Sequence, residues 1–432
     1  MDEFTHKRGR LFCEDTPVDA LVERYGTPLY VYSRKAFLSQ FEEIRKAFAP
    51  ARPLICYSVK ANGNVNILRL LARAGSGFDI VSGGELYRAQ CAKAKPDRVV
   101  FAGVGKSPEE ITEALEADIF MFNAESAAEL EAINRAAESL DCEARVALRV
   151  NPDVDARTHA KTTTATRKNK FGIDLHTARD LFANRDRFPH VSLCGIHLHL
   201  GSPIYSVEPF RKALERVKTF IGEVRDLGAE ITTLNVGGGY AISYDGNPTI
   251  RPRDYAEVIL PAVEALDVGL CIEPGRFIAG NAGVLLTRVI YRKEGWDGRR
   301  FVVVDAAMND LLRPALYGSY HHIWPVSGDP PPAFGAPDER RSKTGLETVD
   351  IVGPICETSD CFGADRELPP VRQGDCLAIY SAGAYGMAMA SNYNSRPRPC
   401  EVLVNGKRTR VIRRRETRED MVKGEIREPS QV

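Results

Sequence analysis

The feature that most constrains the fold is a regular alternation of strand-like and helix-favouring stretches. Eight short runs rich in apolar and β-branched residues recur at 54–57, 77–81, 98–102, 119–123, 145–150, 192–200, 231–236 and 269–273. Between them lie stretches with helical periodicity, at 64–73, 108–116, 125–140, 207–227 and 254–266, and a further one precedes the first run at 35–48. Eight strand–helix units in about 250 residues predict a (β/α)8 barrel. A doubly wound sheet is the alternative fold, but eight units favour closure.

Beyond residue 280 the pattern changes to short strands with turn signals, at 284–291, 301–305, 347–352 and 375–380. We therefore expect a TIM barrel at 34–280 and a β-rich domain, of sandwich or barrel-like type, formed by 1–33 together with 281–432. Asn405-Gly406 between alternating runs favours a type I′ hairpin, and a short helix is expected from Thr417. The stretch 325–343 is rich in proline, glycine and charge, which is typical of a surface loop.

Composition narrows the class of partner. Lysine plus arginine (58) equals aspartate plus glutamate (58), so no overall charge attracts nucleic acid or an anionic membrane, and a small-molecule partner is expected. The polar N-terminus and the lack of any run of eighteen apolar residues predict a cytoplasmic protein. The ten cysteines include no C-x-x-C pair, and Cys56, Cys194 and Cys271 lie in apolar runs, so they are expected to be reduced core residues.

Candidate site residues follow the strands of the predicted barrel. Lys60 comes directly after the first strand, although a lone lysine there is usually only solvated. Gly237-Gly238-Gly239 follows the seventh strand, and Glu273-Pro274-Gly275-Arg276 follows the eighth. A glycine triplet can be a simple tight turn. Because barrels commonly bind phosphate at the loops after strands seven and eight, the two loops together favour a phosphate site.

Two histidines on the sixth strand, His197 and His199, are two residues apart and therefore share a face. They could be satisfied core residues, metal ligands, or a ring stacked on a flat cofactor. No further ligand cluster accompanies them, which makes the metal interpretation weak. Stacking is preferred, and no metal is expected.

A reactive lysine, a phosphate cradle, a stacking imidazole and a carboxylate at one barrel mouth together describe a pyridoxal 5′-phosphate site. In this interpretation Lys60 bonds to the cofactor. Glu273 keeps the pyridine nitrogen protonated, so that the ring withdraws electrons strongly.

A series of motifs then resembles a known family in order and spacing across nearly the whole chain. The motifs are Tyr57–Asn62, 195–202, 237–239, 273–276, 353–360 and 383–386. They resemble the diaminopimelate decarboxylases of the alanine-racemase-like (fold-type III) family, whose members also include ornithine and arginine decarboxylases.

The resemblance implies roles for residues around the cofactor. Lys60 is the lysine that bonds to it and His199 the residue that stacks on its ring. The phosphate is held by the loop residues Ser202, Gly237, Gly238, Gly239, Gly275 and Arg276. Tyr385 touches both phosphate and substrate, and Asp79 and Arg149 line the pocket.

The resemblance also implies a homodimer with shared active sites, in which the β-rich domain contributes to the site and to the dimer interface. Cys356 is the acid that returns a proton at the mouth of the other subunit's barrel, and Glu357 meets the distal ammonium group of the substrate. Arg276, Arg313 and Tyr317 hold the distal carboxylate, a group that ornithine lacks and that suits the planar fork of arginine.

The expected reaction is decarboxylation of meso-2,6-diaminopimelate to L-lysine and CO2, the last step of lysine biosynthesis. The alternatives are decarboxylation of ornithine, arginine or carboxynorspermidine on the same fold, a non-catalytic pyridoxal phosphate carrier, and a metal-dependent barrel hydrolase. The stretch 158–172 corresponds to a flexible lid. It has Thr163-Thr164-Ala165 where relatives usually have Ser-Thr-Gly, which puts the mobility of this lid in question.

Overall fold

The computed structural model describes residues 3–155, 170–331 and 345–425, and the chain divides into two compact units. One unit comprises Phe37–Ile242 with Pro248–Ala279, and the other Met1–Ala36, Ser243–Asn247 and Gly280–Val432. Within the described ranges, no helix combines the length and the apolar character needed to cross a membrane.

The N-terminal segment begins with a small antiparallel sheet. Its elements, with the strand and helices that follow, are β1 (Phe4–Lys7), β2 (Arg10–Cys13), β3 (Thr16–Pro17), α1 (Val18–Tyr25), β4 (Leu29–Ser33) and α2 (Arg34–Ala47). All five residues of β4 are buried, and both of its edges pair with other strands of the β-rich unit.

The other unit is a closed parallel barrel. Its strands are β5 (Leu54–Ser58), β6 (Gly77–Ile80), β7 (Val99–Phe101), β8 (Met121–Ala124), β9 (Ala144–Asn151), β11 (Val191–His197), β12 (Thr233–Asn235) and β13 (Gly269–Ile272), with β10 (Ile173–Asp174) added beside β9. The ring closes where β13 pairs with β5, Cys271 opposite Leu54. The predicted (β/α)8 barrel is thus confirmed.

Helices follow the strands in the expected alternation: α3 (Val65–Arg73), α4 (Gly83–Cys91), α5 (Pro108–Glu116), α6 (Ala127–Ser139), α7 (Leu175–Ala183), α8 (Glu208–Asp226), α9 (Pro252–Leu266) and α10 (Arg276–Ala279). Their starts are encoded locally. Asn64 caps α3. At the start of α5, Ser107 and Glu110 form a capping box, and Pro108 is the first helical residue.

The centre of the barrel is filled by small and sulfur-containing side chains. One buried layer consists of Cys56, Val100, Met121, Ala147, Cys194 and Cys271. Next to it a Cβ on Gly195 would lie 2.9 Å from the Ala147 Cβ, so this strand position accepts only glycine. The three cysteines expected in the core are buried free thiols.

The β-rich unit contains one large, mainly antiparallel sheet. Its later elements are β14 (Gly283–Glu294), β15 (Arg300–Val304), α11 (Arg313–Tyr317), β16 (Ile323–Pro325), β17 (Glu347–Val352), β18 (Cys361–Leu368), β19 (Cys376–Ile379), β20 (Cys400–Asn405), β21 (Arg408–Arg413) and α12 (Arg418–Val422). The sheet order is β18-β17-β15-β14-β4-β20-β21, with β19 pairing both β14 and β16. The predicted second β-rich domain is confirmed.

Two local predictions differ from the structure. The hairpin is present, but Asn405 pairs with Arg408, so the central turn residues are Gly406 and Lys407 and only Gly406 has a positive φ, of 62°. The type I′ assignment is therefore wrong, because that turn needs positive φ at both central residues. The sixth barrel strand ends at His197, and His199 lies beyond it. The helix expected from Thr417 is confirmed, with Thr417 as its N-cap.

The predicted lid at 158–172 falls outside the described residues except for its last three positions, 170–172. The predicted loop at 325–343 is described only as far as residue 331.

Candidate active site

The carboxyl ends of the barrel strands carry the predicted site residues of this unit. They are Lys60 after β5, Asp79 on β6, Arg149 on β9, His199 and Ser202 after β11, Gly237–Gly239 after β12, and Glu273, Gly275 and Arg276 after β13. Since all eight strands are parallel, these residues gather at one mouth. Arg313, Tyr317, Cys356, Glu357 and Tyr385 lie in the β-rich unit.

Lys60 is held by a buried carboxylate. It sits in a single 3-10 turn, Val59–Ala61, and its Nζ lies 2.6 Å from Oδ2 of Asp79. Asp79 is fully buried, and Ser58 Oγ lies 2.7 Å from the same oxygen. Burial and the nearby Glu273 charge raise the pKa of Asp79, against the opposing effect of Lys60. The ion pair therefore fixes the amine at the barrel mouth.

Glu273 is a buried carboxylate with partners on both of its oxygens. Its Oε1 accepts hydrogen bonds from the amides of Asn123, at 3.1 Å, and Asn235, at 2.7 Å. Its Oε2 faces Nε2 of His197 at 3.3 Å, an ion-pair distance without hydrogen-bond geometry. Burial alone would raise the pKa of Glu273, but the charges of His197 and Lys60 outweigh it and hold this pKa far below its usual range. Glu273 is thus a buried anion.

His199 presents a neutral ring. Its Nδ1 accepts a hydrogen bond from the Gly238 backbone N–H at 3.2 Å, so a hydrogen can be carried only by Nε2. Burial, with the charges of Arg149 and Lys60, lowers the pKa of His199 to about 3. A neutral flat imidazole at this position can stack on an aromatic ring.

The glycine triplet lets neighbouring loops approach closely. A Cβ on Gly237 would lie 2.5 Å from the backbone oxygen of Leu198, and one on Gly238 would lie 2.2 Å from the backbone oxygen of Glu273. The N–H of Gly237 donates to Asn235 Oδ1, and that of Gly238 to His199. Within the described part of the chain, the Gly239 N–H has no acceptor and is the one available for an anion.

The loop after β13 adds a cation beside the triplet. Nε of the buried Arg276 lies 3.3 Å from Ser202 Oγ. A Cβ on Gly275 would lie 3.0 Å from the Ser58 Cβ and 3.1 Å from the Ala61 Cβ, so glycine favours the close approach of this loop to the lysine turn. Arg276, Ser202 and Gly239 together form a site suited to a phosphate group.

Arg149 is oriented by a residue that sequence reasoning missed. Its Nη1 donates to Oε1 of Glu125 at 2.6 Å, and its guanidinium lies 4.8 Å from the ring centroid of Phe171. Glu125 also accepts the N–H groups of Gly103, at 3.2 Å, and Gly172, at 3.0 Å. One carboxylate thus joins three loops at the barrel mouth.

Asn123, Asn235 and Glu85 were also missed. The signal that could have found the two asparagines is an amide at the end of an apolar run, in Met121-Phe122-Asn123 and Thr233-Leu234-Asn235. Glu85, in the first turn of α4, accepts the Val81 N–H at 2.8 Å, and burial raises its pKa to about 7 despite the charge of Lys60. Its only sequence signal is the capping pattern with Ser82.

In the β-rich unit, Arg313 and Tyr317 are the first and last residues of α11, and Arg313 is buried. Its Nη1 lies 2.8 Å from His321 Nε2, and its guanidinium carbon lies 4.7 Å from the ring centroid of Tyr244. Tyr385 has a positive φ of 56°, which is unusual for a tyrosine. A Cβ on the next residue, Gly386, would lie 2.6 Å from the Tyr30 hydroxyl, so the turn that presents Tyr385 is closely packed.

Cys356 and Glu357 lie in the loop between β17 and β18. By composition alone Cys356 would be buried, but the structure exposes it, because the loop leaves the sheet after β17. Its N–H donates to Asn394 Oδ1 at 3.1 Å. Glu357 accepts hydrogen bonds from the hydroxyls of Tyr393 and Ser359, which lower its pKa. Glu357 is therefore an exposed anion whose carboxylate is held in one orientation by these two hydroxyl groups.

The barrel residues fit pyridoxal 5′-phosphate. Lys60 offers an amine, Glu273 a buried anionic oxygen, His199 a neutral ring, and Arg276 with Gly239 an anion site. No group of three or more His, Cys, Asp or Glu side chains positioned to hold a metal ion occurs in the described ranges. The fold and this set of residues define a pyridoxal phosphate-dependent enzyme of the barrel-plus-β-domain class.

Comparison with known proteins defines the family. Residues 34–280 match the model described as pyridoxal-dependent decarboxylase, pyridoxal binding domain. The chain is 44% identical to the diaminopimelate decarboxylase of Aquifex aeolicus over 95% of this chain and 94% of that protein. It belongs to the pyridoxal-dependent decarboxylase family, and its cofactor is pyridoxal phosphate.

Solved structures agree over the full length. The diaminopimelate decarboxylase of Helicobacter pylori complexed with L-lysine is 40% identical, with a TM-score of 0.87 over 94% of this chain and 98% of that one. That of M. jannaschii in complex with L-lysine is 38% identical, with a TM-score of 0.91 over 100% and 99%. A lysine/ornithine decarboxylase from Vibrio vulnificus, at 19% identity, shares the fold.

Proposed function

We propose that this chain decarboxylates meso-2,6-diaminopimelate to L-lysine and CO2. The observation that carries the proposal is the presence at one barrel mouth of Lys60, ion-paired with Asp79, and of the buried anionic carboxylate Glu273, in a chain that matches diaminopimelate decarboxylases over almost its whole length. Two of the similar structures hold L-lysine, the product of this reaction.

The barrel residues have distinct tasks. Lys60 would hold the cofactor covalently in the resting enzyme, and the cofactor would supply an electron-withdrawing ring for the electron pair left when CO2 departs. Glu273, as an anion, holds a proton on the pyridine nitrogen and so strengthens that withdrawal. His199 packs its neutral ring on the cofactor, and Arg276, Ser202 and Gly239 bind the phosphate. Asp79 and Arg149 line the pocket and orient its polar groups.

The β-rich unit supplies substrate contacts in this proposal. Arg313 and Tyr317, with Arg276, bind the distal carboxylate, and Glu357 binds the distal ammonium group. Tyr385 contacts phosphate and substrate. Clamping the distal end orients the reacting carboxylate across the ring plane, so the distal contacts select both the substrate and the bond that breaks.

We infer that the active enzyme is a homodimer in which Cys356 donates a proton in the partner's site. Its exposure, and that of Glu357, in the single chain supports this arrangement, since groups presented to another subunit must be accessible before assembly. In the domain arrangement that we propose, residues 34–280 bind the cofactor, and 1–33 with 281–432 complete the site and the dimer interface.

The alternative function is decarboxylation of another basic amino acid. CO2 release is measured from meso-diaminopimelate, L-ornithine and L-arginine on one sample whose visible absorbance is recorded. We expect release from meso-diaminopimelate at least about a hundredfold faster, because a buried polar site left unpaired rejects the analogue that lacks its partner. Release from ornithine or arginine alone would refute the proposed substrate. Borohydride should abolish the visible band, while a band that persists would exclude the bond to Lys60.

A further inference from the structure

Arg313 is held between two uncharged rings in the β-rich unit. His321 Nε2 lies 2.8 Å from its Nη1, and the Tyr244 ring centroid lies 4.7 Å from its guanidinium carbon. The rings of Tyr244 and His321 meet edge to face, 5.4 Å apart at 80°. Arg313 is 5% exposed and His321 is fully buried, so the arrangement is part of the packed interior.

The tautomer of His321 follows from its two partners. Its Nδ1 lies 2.8 Å from the backbone oxygen of Tyr380, and a carbonyl oxygen can only accept. The hydrogen is therefore on Nδ1. A guanidinium can only donate, so Nε2 accepts from Arg313. Both ring nitrogens are used, and the imidazole is neutral, because a hydrogen on Nε2 would point at the N–H of Arg313.

We propose that His321 is a positioning residue that fixes Arg313 for the distal carboxylate of the substrate. This inference rests on the proposed function, in which Arg313 binds that group. An arginine held in one orientation loses less side-chain freedom when a carboxylate binds, which favours binding. Neither His321 nor Tyr244 brings a carboxylate to the guanidinium, so neither of these contacts neutralises its charge.

The tautomer suggests a matched pair of variants. In His321→Asn the amide nitrogen occupies the δ position and can still donate to the Tyr380 oxygen, but no acceptor reaches Arg313. In His321→Gln the amide oxygen occupies the ε position and can still accept from Arg313. His6→Asn is the control, because His6 bonds the Pro325 carbonyl oxygen in the same unit at 3.2 Å.

The ligands are also matched. L-Lysine and cadaverine (1,5-diaminopentane) differ only by the carboxylate that Arg313 would bind, so the ratio of their dissociation constants isolates that contact. Both constants are measured by calorimetry on the holoenzyme, alongside kcat and KM for meso-diaminopimelate. For His321→Asn we expect the preference for L-lysine over cadaverine to fall about tenfold, the effect of about 1.4 kcal/mol. KM should rise by a similar factor, with kcat changed far less.

His321→Gln should recover most of the preference, and His6→Asn should keep the wild-type value. Equal weakening of both ligands in His321→Asn, or an unchanged preference, would overturn the positioning role. A wild-type enzyme that binds the two ligands equally would instead refute the role of Arg313 in the proposed function. The two failures are therefore distinguishable.

Discussion

Nε2 of His197 lies 3.3 Å from Oε2 of Glu273, and both side chains are buried within the barrel. The other oxygen of Glu273 is already occupied by the amides of Asn123 and Asn235. In the proposed function Oε2 would be the oxygen left for the cofactor's pyridine nitrogen, and His197 is a protein group that helps to keep this carboxylate anionic. Of the two histidines for which the sequence favoured stacking on a cofactor, His197 thus lies beside Glu273 instead.

The charge of Glu273 should be necessary for turnover. Glu273→Gln keeps an oxygen for the two amides but cannot hold a proton on the pyridine nitrogen. We expect kcat for meso-diaminopimelate to fall by about 10²–10³-fold, the range seen when one charge-stabilising group is removed, with cofactor binding retained. Steady-state kinetics and the visible spectrum measure both effects. Glu264→Gln, at an exposed position of α9, is the control, and normal turnover in Glu273→Gln would contradict the role.

Removing His197 should change how stability depends on pH. In the wild type the pKa of Glu273 is lower in the folded state than in the unfolded state. Its ionisation therefore stabilises the fold above the unfolded pKa, and this contribution is lost only as the pH falls. In His197→Phe the effect of burial should prevail and raise the folded-state pKa of Glu273. The cost of ionising Glu273 without His197 then grows as the pH rises. We expect a loss of about 3 kcal/mol at pH 8 and a smaller loss at pH 5, measured by chemical denaturation. The double variant His197→Phe/Glu273→Gln should lose this pH dependence, and a pH-independent loss in the single variant would contradict it.

Asp310, in the β-rich unit, should give the stability of the protein a second dependence on pH. Burial raises its pKa from 3.8 to about 7, so between these values the folded state binds a proton that the unfolded state lacks. Stability should therefore fall as pH rises through this window, by at most about 1.4 kcal/mol per pH unit. Asp310→Asn should flatten the dependence and stabilise the protein at pH 8, as read from denaturation midpoints. Asp365 is an exposed carboxylate of the same unit, and Asp365→Asn should leave the slope of stability against pH unchanged. If Asp310→Asn keeps the wild-type slope, Asp310 is not the cause of the dependence.

Shared sites can be tested by complementation. Lys60→Ala and Cys356→Ala should each be nearly inactive alone. If each site takes Lys60 from one subunit and Cys356 from the other, co-expressed variants form hybrid dimers with one intact site, and random pairing restores about a quarter of the wild-type activity. The measurement is CO2 release, normalised to total enzyme. No recovery in hybrids shown to form would place both residues in one subunit's site.

Periodicity and strand-end chemistry were enough to predict the barrel and to locate Lys60, the glycine triplet and Glu273. The exact end of β11 was not predictable, because Leu198 and Leu200 continue the apolar alternation past the last strand hydrogen bonds. Glu125, His321 and the two asparagines were missed because their roles depend on partners far away in sequence. Asn123, for example, meets Glu273 from 150 positions earlier, a relation that no local pattern encodes.

The position of β4 has a consequence for folding during synthesis. The barrel has its last strand once Ile272 has been made, but β4 must wait for β14 and β20, the second of which ends at Asn405. The five residues of β4, all buried in the folded protein, therefore remain without their partner strands while most of the chain is translated, at roughly 5–20 residues per second. An exposed strand of this kind invites aggregation. We expect the nascent chain to depend on chaperones during this interval, and the barrel to be folded before β4 is paired.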